Sequence, residues 1–120
     1  FFVSPGFDPS IAHWPLEKKL LWLPGTQTAS EVMVARRMGF KNLKFFPAET
    51  AGGIDHLKNL TPVYPDVKFC PTGGISRERV KDYLALPNVQ AVGGSWVAPN
   101  AMLKLKDWGG ITALAKAASA

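Results

Sequence analysis

A lysine stands inside a short apolar run, Leu43-Lys44-Phe45-Phe46, which Pro47 ends. The run reads as a buried strand that stops abruptly, with an amine near its C-terminal end. An amine in such a place costs free energy unless it finds a partner or gives up its proton. Without the proton it is a nucleophile. With the proton, it can snorkel to water from a strand edge. The run by itself leaves both readings open. Alternation along a strand puts Lys44 and Phe46 on one side, so the amine would have an aromatic wall that helps keep water out.

Two glycine turns lie further along. Thr72-Gly73-Gly74-Ile75-Ser76 sits between an apolar run and a helical pattern, and Gly93-Gly94-Ser95 follows the next apolar run. Glycines let backbone N–H groups approach an anion closely. Helix N-termini add partial positive charge. Each pair alone is also what an ordinary turn uses. As a pair after consecutive strands near the chain's end, they match the phosphate cradle that (β/α)₈ barrels build after their last two strands. No GxGxxG or Walker pattern argues for a nucleotide.

Taken together, these stretches suit imine chemistry. A deprotonated Lys44 attacks a carbonyl whose far end carries phosphate, water leaves, and the protonated imine draws electrons from a neighbouring carbon–carbon bond. Metal-assisted chemistry is disfavoured, because His13 and His56 are far apart and show no HxH or HExxH spacing. Both are expected at the surface or in helix packing. Cys70 is expected in the core, and Trp14, Trp22 and Trp108 in the core or an interface.

The elements that must position these residues alternate. Phe1–Ser4 predicts a strand closed by Pro5-Gly6. Asp8 or Ser10 caps a short helix that Pro15 interrupts. Leu20–Leu23 predicts a second strand closed by Pro24-Gly25. Thr28-Ala29-Ser30-Glu31 has capping-box spacing and opens a helix that Gly39 stops. Asn42–Phe46 is the third strand, and a helix over Ile54–Leu60 follows the Pro47–Gly53 loop. Val67–Cys70 is the fourth, with a helix over Arg77–Leu84 capped by Ser76. Val89–Val92 is the fifth. Helical stretches near Asn100–Leu105 and Ile111–Ala118 finish the chain. Five βα repeats imply parallel pairing with right-handed crossovers, in a doubly wound sheet or as part of a (β/α)₈ barrel. The glycine loops favour the barrel, a complete one of which needs roughly 200–250 residues.

The totals narrow the classes. The chain has 120 residues, 47 % apolar and 19 % charged, enough for one folded domain over residues 1–120. The net charge of +5 is scattered, with no basic run longer than two. That disfavours nucleic acid and suits a small phosphorylated or carboxylated ligand. No apolar stretch reaches the ~20 residues of a membrane span, and no signal-peptide pattern is visible. A single cysteine excludes an intrachain disulfide, so the cytoplasm is the default expectation. The opening Phe1-Phe2-Val3-Ser4-Pro5-Gly6 reads as a chain entered in mid-fold.

Phe2-Val3-Ser4-Pro5-Gly6, Pro24-Gly25-Thr26, Lys44-Phe45-Phe46-Pro47-Ala48-Glu49, Lys68-Phe69-Cys70-Pro71-Thr72-Gly73-Gly74-Ile75, Asp82-Tyr83-Leu84-Ala85-Leu86 and Gly93-Gly94-Ser95-Trp96 resemble the 2-keto-3-deoxy-6-phosphogluconate (KDPG) aldolases, also described as 4-hydroxy-2-oxoglutarate aldolases. The resemblance runs nearly the whole chain. It implies a (β/α)₈ TIM barrel of the class I aldolase type, of which this chain supplies about five βα units, strands four to eight. It implies a homotrimeric lyase of the Entner–Doudoroff pathway, acting without metal or cofactor. Its reaction yields pyruvate and glyceraldehyde 3-phosphate from the phosphorylated keto-deoxy sugar acid, and pyruvate and glyoxylate from 4-hydroxy-2-oxoglutarate. By resemblance Lys44 is the Schiff-base lysine. Phe46, Thr72, Pro24 and Gly25 contact substrate, and Gly73, Gly74, Gly94 and Ser95 bind phosphate.

One departure stands out. The family's acid/base glutamate and carboxylate-binding arginine lie on an early strand, and nothing here matches that region. Glu49 is not assigned that role. The expectation is a C-terminal part of the barrel, holding the nucleophile and phosphate half of the site. Two rival readings are an isomerase or epimerase in which Lys44 is electrostatic, and a non-enzymatic half-barrel, an inactive fragment.

Overall fold

The computed structural model describes residues 1–119. Its strands are β1 (Phe2–Val3), β2 (Trp22–Leu23), β3 (Gly25–Thr26), β4 (Asn42–Phe45) and β5 (Lys68–Pro71), alternating with helices α1 (His13–Glu17), α2 (Ala29–Arg37), α3 (Gly53–Leu60) and α4 (Val80–Leu84). Helices α5 (Asn100–Leu105) and α6 (Trp108–Ser119) follow. β1 pairs with β2, and β3, β4 and β5 pair in that order. Every pairing is parallel, as the alternation of strands and helices predicted.

Local signals explain most elements. Thr28 and Glu31 form the complete capping box at the start of α2, and Gly39 leaves it at φ 98°, a left-handed conformation that glycine adopts without a Cβ clash. Leu43 and Phe45 are fully buried while Lys44 is half-buried, so β4 has an apolar face and a polar one that carries Asn42 and Lys44. Phe45 stacks on His56 of α3 at 5.3 Å and meets Phe69 of β5 edge-on at 6.5 Å. That places the main core between the sheet and its helices, with Val32, Ala35, Leu57, Val67 and Tyr83.

Four expectations are corrected. Pro15 lies within α1 instead of interrupting a helix; it occupies the first turn, where no N–H is required. The second strand begins at Trp22 and divides at Pro24, a residue with no N–H to give a ladder, although Pro24 O still accepts from Lys44 N at 2.9 Å. The helix over Arg77–Leu84 begins as a 3₁₀ turn, Arg77–Arg79, before α4. Val89–Val92 is not a regular strand. It runs beside β5 through two isolated parallel bridges, Phe69↔Val89 and Thr72↔Gly93. The segment between those bridges is one residue longer than its partner on β5, the arrangement of a bulge, and the ladder cannot stay in step. Trp22 is buried as expected, whereas Trp14 and Trp108 are exposed.

No helix among the described residues is long and apolar enough to cross a membrane. Around β1 and β2, Phe2, Val3, Ile11 and Trp14 are exposed and line a cavity of about 570 Å³.

Two outcomes follow for stability. Phe69→Ala removes a ring that is 0 % exposed and should cost about 3–5 kcal/mol in chemical denaturation of the intact gene product. Asp66 accepts from Arg36 Nε at 2.7 Å, with Lys41 Nζ at 3.3 Å. The Arg36 hydrogen bond first, and Lys41 with it, hold its carboxyl down at about 2. A depressed carboxylate stabilises the fold above its unfolded pKa of about 3.9, and that contribution is lost as pH falls through the folded value. Asp66→Asn should therefore flatten the acid limb of the stability profile in that window and leave the pH dependence near neutrality unchanged.

Candidate functional site

Every side chain with a chemical role in prospect stands at the C-terminal ends of the strands. In the β3–β4–β5 sheet, Gly25, Lys44 and Cys70 are register partners across three strands. Facing residues in a parallel ladder present their side chains to one face. Lys44 therefore has a glycine on one side and a thiol on the other. Any Cβ at Gly25 would lie 2.1 Å from the Pro5 carbonyl oxygen. The glycine is required because the Ser4–Gly6 turn closes directly over it.

Lys44 Nζ sits 4.5 Å from the centroid of the Phe46 ring, so the two side chains share a face as alternation predicted. The ion pairs among the described residues are Arg36–Asp66, Lys41–Asp66 and Arg79–Glu49, and Lys44 belongs to none of them. Thr26 Oγ1 donates to Lys44 O at 3.3 Å, which holds the strand on its other neighbour. The expectation for Cys70 is corrected. It is half-buried beside Lys44 and not in the apolar core, because it shares the lysine's parity. Burial pushes its thiol above the ordinary cysteine range, against the pull of the Thr72 hydrogen bond and of Lys44.

The sheet hands over to the loops without a gap. Thr72 N donates to Phe45 O at 2.9 Å, Ala48 N to Thr72 O at 2.8 Å, and Glu49 N to Gly73 O at 3.1 Å. The lysine's loop and the first glycine loop are thus one hydrogen-bonded unit. Gly73 and Gly74 have φ of 109° and 76°, conformations that only glycine adopts at little cost. Gly93 packs so closely that a Cβ would lie 2.5 Å from Thr72 Oγ1.

Both glycine loops line one cavity of about 760 Å³, with Thr72, Gly73, Gly74, Gly94 and Ser95 among its walls. The structure thus brings the sequence-predicted phosphate residues together. Lys44, Phe46, Pro24 and Gly25 do not line that cavity; Phe46 comes nearest, its ring 3.3 Å from where a Cβ on Gly73 would stand. Arg77 and Asn100 also line the cavity and were not anticipated. Trp96 Nε1 is buried beside Gly94 with no hydrogen-bond partner among the described residues. No cluster of three or more metal-ligating side chains occurs among the described residues.

Sequence reasoning also missed how Glu49 is held. Its carboxylate accepts from the Tyr83 hydroxyl and from Arg79 Nη1. The only local signal was the i, i+4 spacing of Arg79 and Tyr83, which places them on one helical face. Burial, and then the Glu49 carboxylate, push the Tyr83 phenol above its ordinary range.

Against this geometry the likenesses are informative. The KDPG and KHG aldolase family profile matches residues 1–114, and the chain belongs to that family. It is 42 % identical over 118 residues to the 2-dehydro-3-deoxy-phosphogluconate aldolase of Pseudomonas aeruginosa, covering 98 % of this chain and 54 % of that protein. The KDPG aldolase of Legionella pneumophila, solved with pyruvate captured at low pH as a covalent carbinolamine intermediate, superposes with a TM-score of 0.92 at 43 % identity. That match covers 98 % of this chain and 57 % of the Legionella chain. The 2-keto-3-deoxy-6-phosphogluconate aldolase of Zymomonas mobilis ZM4 with 3-phosphoglycerate gives 0.88 at 42 % identity, over 100 % of this chain and 56 % of that one. The chain spans about half the length of the curated relatives it matches.

Gly93→Ala tests the contact that joins the two glycine loops. The added methyl should cost about 1–3 kcal/mol by overpacking. Thr72→Ala in the same background, which removes the clashing Oγ1 and Cγ2, should recover most of that in a denaturation-based double-mutant cycle.

Proposed function

We propose that this chain carries the nucleophile and phosphate half of a class I aldolase that cleaves 2-keto-3-deoxy-6-phosphogluconate to pyruvate and glyceraldehyde 3-phosphate. The observation that carries the reading is Lys44, an amine outside every ion pair among the described residues, walled by Phe46 and hydrogen-bonded through its strand to a glycine-loop cavity. Family membership and the pyruvate adduct of the Legionella relative support it.

In this reading the neutral Lys44 amine adds to the keto carbon, and the carbinolamine takes up a proton and loses water to give the protonated imine. A base removes the proton of the β-hydroxyl, and the bond between the α and β carbons breaks. The aldehyde leaves, and the electron pair moves through the enamine to the imine nitrogen. Protonation of the α carbon and hydrolysis release pyruvate and regenerate Lys44. Gly25 lets the Ser4–Gly6 turn close beside the amine's strand, Phe46 excludes water, and Thr72 contacts the substrate between its two ends, with Pro24 at the edge. Gly73, Gly74, Gly94 and Ser95 take the phosphate. Neutral backbone donors can do this because each N–H is pre-aimed and needs no reorganisation. The base is not assigned to a residue of this chain, and Glu49 is occupied by Arg79 and Tyr83.

The same reading takes residues 1–120 as one unit of a (β/α)₈ barrel, with β5 and the Val89–Val92 segment as its seventh and eighth strands. The phosphate cradle then falls where barrels commonly build it. It extends to cleavage of 4-hydroxy-2-oxoglutarate, and to a cytoplasmic homotrimer in the Entner–Doudoroff pathway. These extensions rest on family membership alone.

The test is reductive trapping. The intact gene product incubated with pyruvate and borohydride should gain the mass of one reduced pyruvate imine, mapped to Lys44 by peptide fragmentation. Lys44→Arg should abolish both the adduct and cleavage activity. A wild-type protein that folds, traps nothing and does not cleave the substrate would instead assign Lys44 an electrostatic part in another reaction, an isomerisation or epimerisation.

A further inference from the structure

Glu49 packs on the first glycine loop, and its surroundings say what it does there. It lies just beyond Lys44 and Phe46 on the loop that leaves β4. Its backbone N–H donates to Gly73 O at 3.1 Å. A Cβ on Gly74 would lie 3.0 Å from Glu49 Cβ, so the carboxylate's stem packs flat against the first glycine loop. Its head turns away from the cavity to Tyr83, which is 0 % exposed, and to Arg79. A Cβ on Gly53, at the start of α3, would come within 3.0 Å of the Tyr83 hydroxyl, so that hydroxyl has no room to swing aside. Arg79 ends the 3₁₀ turn that begins at Arg77, and Ser76 and Arg77 line the cavity.

We propose that Glu49 is a positioning residue. Clamped by Tyr83 and Arg79, it sets the distance between the Lys44 amine and the glycine loop that receives the far end of the substrate. The proposal rests on the aldolase reading and deepens it.

Chemistry favours a clamp over a proton-transfer role. One carboxylate oxygen accepts from a buried phenol and the other from a guanidinium, and such charge-assisted contacts are the strong, directional kind. A base needs a free lone pair aimed at substrate, and Glu49 aims both oxygens at α4 and the turn before it. A substrate fixed at two ends is sensitive to the spacing between its anchors, and a misplacement on the order of 1 Å can cost a factor of 100 in rate. A substrate without phosphate uses only the lysine end and is insensitive to that spacing.

The experiment compares the two kinds of substrate in the intact gene product. Glu49→Ala should lower kcat/KM for the phosphorylated aldol substrate by about 10- to 100-fold, mostly through KM, while pyruvate trapping by borohydride and cleavage of unphosphorylated 4-hydroxy-2-oxoglutarate stay within about threefold. Glu49→Gln keeps an oxygen for Tyr83 and should recover part of the loss. If Glu49→Ala does not fold, Arg79→Gln opens the clamp from its exposed side and should produce the same split. Equal losses on both substrates, together with loss of trapping, would overturn the proposal by placing Glu49 at the reacting centre. Unchanged kinetics on both would overturn it by showing that the spacing is held elsewhere. If the wild-type protein itself traps no pyruvate, the aldolase reading falls separately. Inorganic phosphate uses only the loop end, so it should bind Glu49→Ala and wild type alike; weaker binding to Glu49→Ala would overturn the spacing role by showing that Glu49 builds the loop itself.

Discussion

The pairing of β4 with β5 is the constraint on which the rest of the structure depends. Four consecutive residues match, from Asn42↔Lys68 to Phe45↔Pro71. Side chains alternate along a strand, so this register decides which residues share a face. It buries Leu43, Phe45 and Phe69 among the helices and turns Lys44 and Cys70 the other way. A slip of β4 by one residue would send Lys44 into the core and Leu43 and Phe45 to the opposite face. The cost of burying an amine and exposing Leu43 and Phe45 opposes that slip, so the hydrophobic face that stabilises the fold also aims the amine.

The pairing then continues past the strands. Hydrogen bonds from Thr72, Ala48 and Glu49 carry the ladder into both loops. Proline and glycine make this possible in different ways. Pro47 and Pro71 stand where regular pairing ends, and Gly73 and Gly74 take backbone conformations closed to other residues. Gly25 and Gly93 answer a different need, since neighbouring backbone or side-chain atoms already fill the space of a Cβ. The cavity walled by these loops combines glycine backbone with Arg77, Trp96 and Asn100.

Irregularity is concentrated where the site is. β2 and β3 are divided at Pro24, and the segment after α4 carries one residue too many for its partner. Regular ladders would have been more stable locally, but they would have placed Gly25 and Gly93 differently against Pro5 and Thr72. In this member of the family the Lys44 strand and the two glycine loops are joined through the β4–β5 pairing.

The sequence by itself determined the alternation of strands and helices, their parallel pairing, the capping box at Thr28, the shared face of Lys44 and Phe46, and the glycine turns after the last two strand-like segments. These follow from short-range rules: period two along a strand, cap spacing, and the conformations open to glycine and proline. Only the tertiary structure decided that Cys70 stands beside Lys44, that Val89–Val92 falls out of register with β5, and that Glu49 is held by Arg79 and Tyr83. Those partners lie 30 and 34 residues from Glu49 along the chain. No local pattern encodes them, because they arise where separate elements converge once the core has set their register.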